Sequence, residues 1–219
     1  MNSTIRRWEQ DGDRRVIFLS CYTLMTGNML VAVNKGEFQD AEWVTRLIHH
    51  FADYYFKALD AYDSSAGNPP AVWRLTHDAA LDPKTKVLQN LLLGVNAHIN
   101  YDLAQAVTDL LESEWQDLSK KEREARYNDY CYVNKIIADT IDTVQDQVVE
   151  HHSPIMDVVD IALGPFDELF TSRLIDHWRE EVWQHAVEML ESQRADRRER
   201  MCEALGAAAI AKANMISKA

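Results

Sequence analysis

Glycine, proline and cysteine are all scarce in this chain of 219 residues. Seven Gly and five Pro leave few places where a helix must break, which predicts long helices joined by short loops. Cys21, Cys131 and Cys202 form no Cys-x-x-Cys pair, which argues against a disulfide framework and against a zinc ribbon. A chain of this length can bury a sizeable core without either kind of cross-link.

Basic residues are also fewer than acidic ones. The chain has 23 Lys and Arg against 35 Asp and Glu, and its net charge at pH 7 is -12. Nucleic acids and anionic membranes are bound through basic surfaces, so this balance argues against both partners. The N-terminal residues contain no apolar core of signal-peptide length, and no stretch reaches the ~18 apolar residues of a membrane span. We therefore expect a cytoplasmic protein.

Apolar residues recur at helical spacing along nearly the whole chain, and no segment alternates like a strand. A first helix is expected at residues 14–34, kinked or ended early at Gly27 and Asn28. A central helix is expected to open with Asp82 as N-cap and Pro83 at its first position, and to run to about Leu111. The clearest amphipathic stripe, spaced by four, four, three and four, consists of Trp43, Leu47, Phe51, Tyr54 and Ala58.

These patterns predict an all-α fold, in which a single domain of about six to eight helices surrounds the central helix. The domain is expected to span residues 1–195. Residues 196–219 mix both charges and then become alanine-rich, which indicates a peripheral helix or tail. A short helix is also expected at 155–163, ended by Gly164 and Pro165. The sequence leaves open whether two copies form a homodimer.

The central helix carries four polar side chains within the seven residues NAHINYD. Since residues four apart share a helix face, His98 lies with Asp102, while Asn96 lies with Asn100 on nearly the opposite face. Apolar residues fill the other directions, so the helix is expected to be buried and each polar group must find a partner. Gly94 weakens the helix by ~1 kcal/mol relative to Ala, which indicates close packing against the backbone there.

We expect His98 and Asp102 to carry the chemistry of the protein. A buried histidine beside a carboxylate can transfer a proton or bind a metal ion, because its protonation responds strongly to its surroundings. Tyr101 is adjacent to the pair and is expected to donate a proton or a hydrogen bond. Asn96 and Asn100 are expected to bind polar groups of a substrate or to brace neighbouring helices.

Other histidines are candidates for a shared metal site. His49 with Asp53 and His177 with Glu181 repeat the spacing of four, and helical bundles build metal sites from inward-facing residues of several helices. Such ligands suit zinc or iron, although ion pairs on a solvated face have the same spacing. The candidate metal ligands are His98, Asp102, His50, Asp53, His77 and His177.

The stretch GVNAHINYDL resembles the bacterial DUF5995 family, whose members carry an N-A-H-I-N-x-D-L core. The resemblance covers about residues 35 to 190. The family is defined without an assigned activity, so the resemblance implies no reaction and directs attention to Asn96, His98, Asn100 and Asp102. A weaker likeness relates His98 and Asp102 to the His-x-x-x-Asp pair of zinc-dependent phospholipase C and P1-type nucleases, which also use a processed N-terminal Trp that this chain is not expected to have.

Three functional hypotheses follow. The favoured one is an enzyme for a small-molecule substrate, acting as a zinc- or iron-dependent hydrolase or oxidoreductase through His98 and Asp102. The second is a metal-free lyase, cyclase or isomerase, which uses the same pair as acid and base, with Trp73 and Tyr54 among its substrate-binding walls. The third is a non-catalytic binding or scaffold protein. A pocket of roughly 300–1,000 Å³ that reaches His98 would favour the first two.

Overall fold

The computed structural model describes residues 1–64, 67–153, 172–192 and 195–218. Within these ranges the chain forms eight helices and no strand, which confirms the all-α prediction. The helices are α1 (Asn2–Asp11), α2 (Val16–Asn34), α3 (Ala41–Asp63), α4 (Ala71–Leu81), α5 (87–112), α6 (120–152), α7 (Ser172–Glu191) and α8 (Ala195–Ile216). The short helix expected at 155–163 lies outside the described residues.

Helix α5 is the centre of the bundle. It packs against α2, α3, α4, α7 and α8, and all but one of the side chains in its first part, Val87–Ala97, are buried. A helix that is apolar on nearly every side is stable only when neighbours cover it, so the composition of α5 accounts for its position. The prediction of a buried central helix is confirmed.

Helix α5 is not regular along its length. Its first α-helical part, Val87–Ala97, continues into a π-helical turn, His98–Leu103, and then into a second α-helical part, Ala104–Glu112. A π turn makes i→i+5 hydrogen bonds, and such turns are rare and frequent at functional sites. This turn carries His98 and Asp102. Helix α6 has the same organisation, with Lys120–Val144, a π turn at Gln145–Val149, and Glu150–His152.

The expected start of α5 is wrong. Asp82 accepts a hydrogen bond from the Lys84 amide, which closes a turn, and the Arg14 side chain donates to the backbone carbonyl of Asp82. The helix begins at Val87, where the Gln89 side chain accepts from the Lys86 amide. The Asp-Pro pair therefore forms a turn, and Arg14 from the N-terminal segment stabilises it.

Helix α2 differs from its prediction in two ways. It runs through Gly27 and Asn28 without a break, and the Asn28 side chain donates to the hydroxyl of Thr140 on α6. By length and composition alone α2 could also cross a membrane, so the expectation that no stretch is long enough was wrong. Core helices of globular proteins share these properties, and the residues from Val16 to Leu19 are buried in the bundle.

The C-terminal residues form a helix that contacts the bundle along one face. Helix α8 packs against α4 and α5, where Ala209 and Ala213 are completely buried. The Gln89 side chain donates to the carbonyl of Ile216 at 3.3 Å. Alanine side chains are short, so the two helix backbones approach closely, and the alanine-rich composition that suggested a tail is what allows this packing.

A substitution at Gly94 tests how closely α2 packs against α5. A Cβ atom added at Gly94 would lie 2.4 Å from two ring atoms of Phe18, whereas one added at Gly27 would meet nothing within 4 Å. We expect Gly94→Ala to destabilise the protein by about 1–3 kcal/mol through overpacking. Gly27→Ala, the matched control in a helix interior, should stabilise it by about 0.5–1 kcal/mol. Urea unfolding followed by circular dichroism measures both, and equal stabilities would contradict the packing described.

Candidate active site

A chain of hydrogen bonds joins α4 to the π turn of α5. The indole Nε1 of Trp73 donates to Asp102, lying 3.1 Å from Oδ1 and 3.0 Å from Oδ2. Asp102 Oδ2 in turn lies 3.0 Å from Nδ1 of His98. Trp73 is completely buried, and His98 and Asp102 are only 4% and 1% exposed. The spacing of four therefore predicted the His98–Asp102 contact correctly, and the structure adds Trp73 as its third member.

Aromatic rings enclose His98. Its imidazole stacks on Phe51 of α3, with centroids 3.5 Å apart and planes within 7°. Tyr22 and Phe18 of α2 meet it edge-on, at centroid distances of 4.5 and 5.8 Å. Gly94 makes this possible, since a side chain there would displace the Phe18 ring. The rings fix the orientation of the imidazole and separate the pair from bulk water.

Burial sets the protonation of the pair. It lowers the pKa of the His98 imidazole well below its usual value. It raises the pKa of the Asp102 carboxyl well above its usual value, an effect that the hydrogen bond from Trp73 opposes. The histidine is therefore neutral at physiological pH. One of its nitrogens, Nδ1, faces Asp102, whereas the other, Nε2, is buried without a hydrogen-bond partner in the described part of the chain.

His98 lies at an apolar pocket formed by four helices and the central helix. The space between the side chains amounts to about 730 Å³ with its open mouth included, of which about 80 Å³ is accessible to the centre of a water molecule. Met25 and Met29 can adapt their shape to a ligand. The lining residues are Phe18, Cys21, Tyr22, Met25, Met29, Phe51, Leu92, Val95, His98, Ile99, Ile137, Ile141, Val144, Ile175 and Arg179. The pocket is thus narrow and suits a slender, largely apolar molecule.

The two asparagines face away from this pocket. Asn96 donates to the carbonyl of Ala209 on α8 at 2.9 Å, and Asn100 donates to the side chain of Asn96. Lys212 of α8 donates to Asn100 Oδ1 at 2.8 Å and also to Glu181 of α7. These contacts tie α8 to the π turn. They match the expected bracing role, and neither asparagine is among the residues that line the pocket.

Three other sequence candidates occupy different positions from those expected. Tyr101 is next to Asp102 in sequence, but its ring lies over Gly206 of α8, because neighbouring residues of a helix point in different directions. Tyr54 donates to Asp109 at 2.6 Å and does not line the pocket. Trp73 contacts the pair from inside the core, so it positions Asp102 and does not contact a ligand in the pocket.

Apart from the His98–Asp102 pair, the candidate metal ligands do not come together. His50 lies 3.0 Å from Asp109 at a partly exposed site, Asp53 is exposed, and His177 forms an exposed pair with Glu181. His77 is buried and stacks on Trp73. Across residues 1–64, 67–153, 172–192 and 195–218, no three His, Cys, Asp or Glu side chains are grouped so that they could hold a metal ion.

Several pocket residues were not expected from the sequence. Phe51 was assigned only to an apolar stripe, and Phe18 and Tyr22 carried no signal that linked them to His98, since they come from a different helix. Arg179 offered a signal that was missed. It lies four residues after Ile175 and three before Val182, so this basic residue falls in the apolar stripe of α7.

Comparison with known proteins identifies a family and no function. The chain matches the DUF5995 family, a family of unknown function, over residues 1–219, and it belongs to this family. The match extends the resemblance from the central stretch to both ends of the chain. No curated protein and no solved structure is significantly similar to it.

The buried His77 predicts how stability depends on pH. Burial lowers its pKa from 6.5 to about 4, so the folded protein binds fewer protons than the unfolded chain in this range. Its contribution to stability is complete above pH ~6.5 and is lost as the pH falls towards 4. We expect the wild type to lose about 3 kcal/mol more than His77→Phe between these values, at 1.36 kcal/mol per pKa unit.

Urea unfolding of both proteins at several pH values checks this expectation. Phenylalanine keeps a ring against Trp73, and the contribution of His98 is present in both proteins and cancels. Parallel stability curves would show that His77 is not held neutral in the folded state.

Proposed function

We propose that this DUF5995 member is an enzyme that transfers a proton to or from a small, largely apolar molecule bound beside His98. The observation that carries the proposal is Nε2 of His98, which is buried and has no hydrogen-bond partner among the described residues, on a side chain that lines the pocket. A buried polar atom without a partner costs about 1–3 kcal/mol. A substrate that exchanges a proton with this atom would satisfy it.

The His98–Asp102 pair can work as a base and as an acid. With Asp102 ionised, Nδ1–H donates to the carboxylate and Nε2 presents a lone pair to the pocket. With Asp102 protonated, its O–H donates to Nδ1 and Nε2 carries the proton. Removing a proton from a substrate converts the first state into the second, and returning it restores the first. Neither state places a net positive charge on the buried imidazole.

The surrounding side chains support this role. Trp73 donates to both carboxylate oxygens and so stabilises the ionised form of Asp102. Phe51, Phe18 and Tyr22 hold the imidazole in one orientation and exclude water. Positioning of this kind lowers the entropic cost of reaction, and a dry surrounding strengthens the hydrogen bond between His98 and Asp102.

Among the three hypotheses from the sequence, the metal-free lyase, cyclase or isomerase has the best support. Asp102 is already hydrogen-bonded to Trp73 and His98, and no third ligand joins the pair within the described residues. A scaffold role is less well supported, because it gives no use to a pocket that is lined by a histidine with an unpartnered nitrogen. We further propose a cytoplasmic protein with a small-molecule substrate, since the net charge of -12 argues against nucleic-acid and anionic-membrane partners.

A neutral reporter reaction tests the proposal before the natural substrate is known. The base-catalysed ring opening of 5-nitrobenzisoxazole removes one C–H proton from an apolar molecule and gives a coloured cyanophenolate. We expect saturable catalysis by the wild type. His98→Gln should lower kcat/KM by roughly 10²-fold or more, because general-base catalysis contributes about that much.

His50→Gln is the matched control, since His50 also pairs with an aspartate but lies outside the pocket. It should leave the rate unchanged, and circular dichroism should show both variants to be folded. Equal rates for the wild type and His98→Gln would contradict the proposal.

A further inference from the structure

Arg179 brings a positive charge to the pocket. It belongs to α7, is only 4% exposed and lines the same pocket as His98. Its Nε donates to the side-chain oxygen of Asn134, and its Nη2 donates to the backbone carbonyl of Tyr130 at 2.8 Å. The guanidinium also lies over the ring of Tyr130, 4.2 Å from the centroid. These contacts hold the side chain in place.

None of these partners carries a negative charge. Within the described residues, no carboxylate oxygen lies within 4.0 Å of the guanidinium nitrogens, and Asp176 on the same helix does not form an ion pair with it. The third nitrogen, Nη1, makes no hydrogen bond to the described residues. Arginine is almost never this deeply buried unless it is paired, because an uncompensated buried charge is costly. Among the described residues, none supplies an anion that pairs with Arg179.

The other side chains that line the pocket indicate which kind of anion it can bind. Apart from His98, Tyr22 and Arg179, the lining side chains carry no polar group except the thiol of Cys21. A ligand that complements them has an apolar body and one acidic group. Carboxylates match the planar fork of a guanidinium and form two parallel hydrogen bonds with it.

We infer that the pocket binds a hydrophobic carboxylic acid, whose carboxylate pairs with Arg179 and whose apolar body extends along the pocket towards His98. The statement that this acid is a substrate rests on the proposed function, whereas its binding does not depend on catalysis. An uncharged analogue of the acid should bind more weakly, because it leaves the buried guanidinium without a counter-ion.

Calorimetric titration with octanoate and octanamide tests this inference. The two probes have the same chain and nearly the same shape, and they differ in the charge of the head group. We expect the wild type to bind octanoate at least about tenfold more tightly than octanamide, since a hydrogen bond to a charged group contributes more than a neutral one. Equal affinities, or no binding of octanoate, would overturn the inference.

Two variants locate the source of the preference. Asn134→Asp places a carboxylate at the atom that already accepts from Arg179. It should therefore supply a counter-ion and reduce the preference for octanoate by about tenfold, while the protein stays folded. Asn128→Asp, at an exposed position of the same helix, adds the same charge away from the pocket and should change nothing. Arg179→Gln should abolish the preference.

A preference that survives Asn134→Asp, or that Asn128→Asp reduces equally, would show that the carboxylate binds elsewhere and would overturn the inference. The reporter reaction separates this outcome from a failure of the proposed function, because 5-nitrobenzisoxazole has no acidic group. Reporter catalysis without a preference for octanoate would contradict the binding of a carboxylic acid and would support His98 as a general base. A preference for octanoate without reporter catalysis would support the binding of a carboxylic acid and would contradict the proposed function.

Discussion

The hydrogen bonds that join Asp102 to Trp73 and His98 are the constraint around which the rest of the structure is arranged. A carboxyl group that is 1% exposed must be hydrogen-bonded, because burying it without partners would cost several kcal/mol. Helix α4 supplies a donor through Trp73, and the π turn of α5 supplies a second hydrogen-bond partner through His98. The positions of α4 and of the π turn are therefore coupled, and a change to either one affects both.

The two faces of the π turn have separate roles. On one face, His98 meets the aromatic rings and the pocket, with Arg179 on the facing helix. On the other, Asn96 and Asn100 connect to Ala209 and Lys212 of α8. The second face fixes the turn against the bundle, so the first can keep a polar atom without a partner. This division accounts for four polar side chains within one short stretch of a buried helix.

The sequence predicted those structural features that depend on the spacing of residues along a single helix. The all-α class, the central helix and the His98–Asp102 contact all follow from spacing along one helix. Contacts between helices were not predictable in this way: Trp73 lies 29 positions before Asp102, and Arg179 is further still from His98. The Asp82–Pro83 start failed because Arg14 stabilises a turn there. The close packing of the C-terminal alanines against α5 was not predictable either, because it depends on how two helices approach each other.

The most direct measurement is nuclear magnetic resonance of the imidazole nitrogens in protein labelled with ¹⁵N-histidine, with the His98→Gln variant used to assign the His98 signals. The account predicts one protonated and one unprotonated nitrogen in His98, unchanged from about pH 8 to pH 5, because burial holds the imidazole neutral. Addition of an apolar ligand should shift the Nε2 signal and leave other histidines unaffected. Titration of His98 near its ordinary pKa of ~6.5 would show a solvent-exposed, charged side chain and contradict the account.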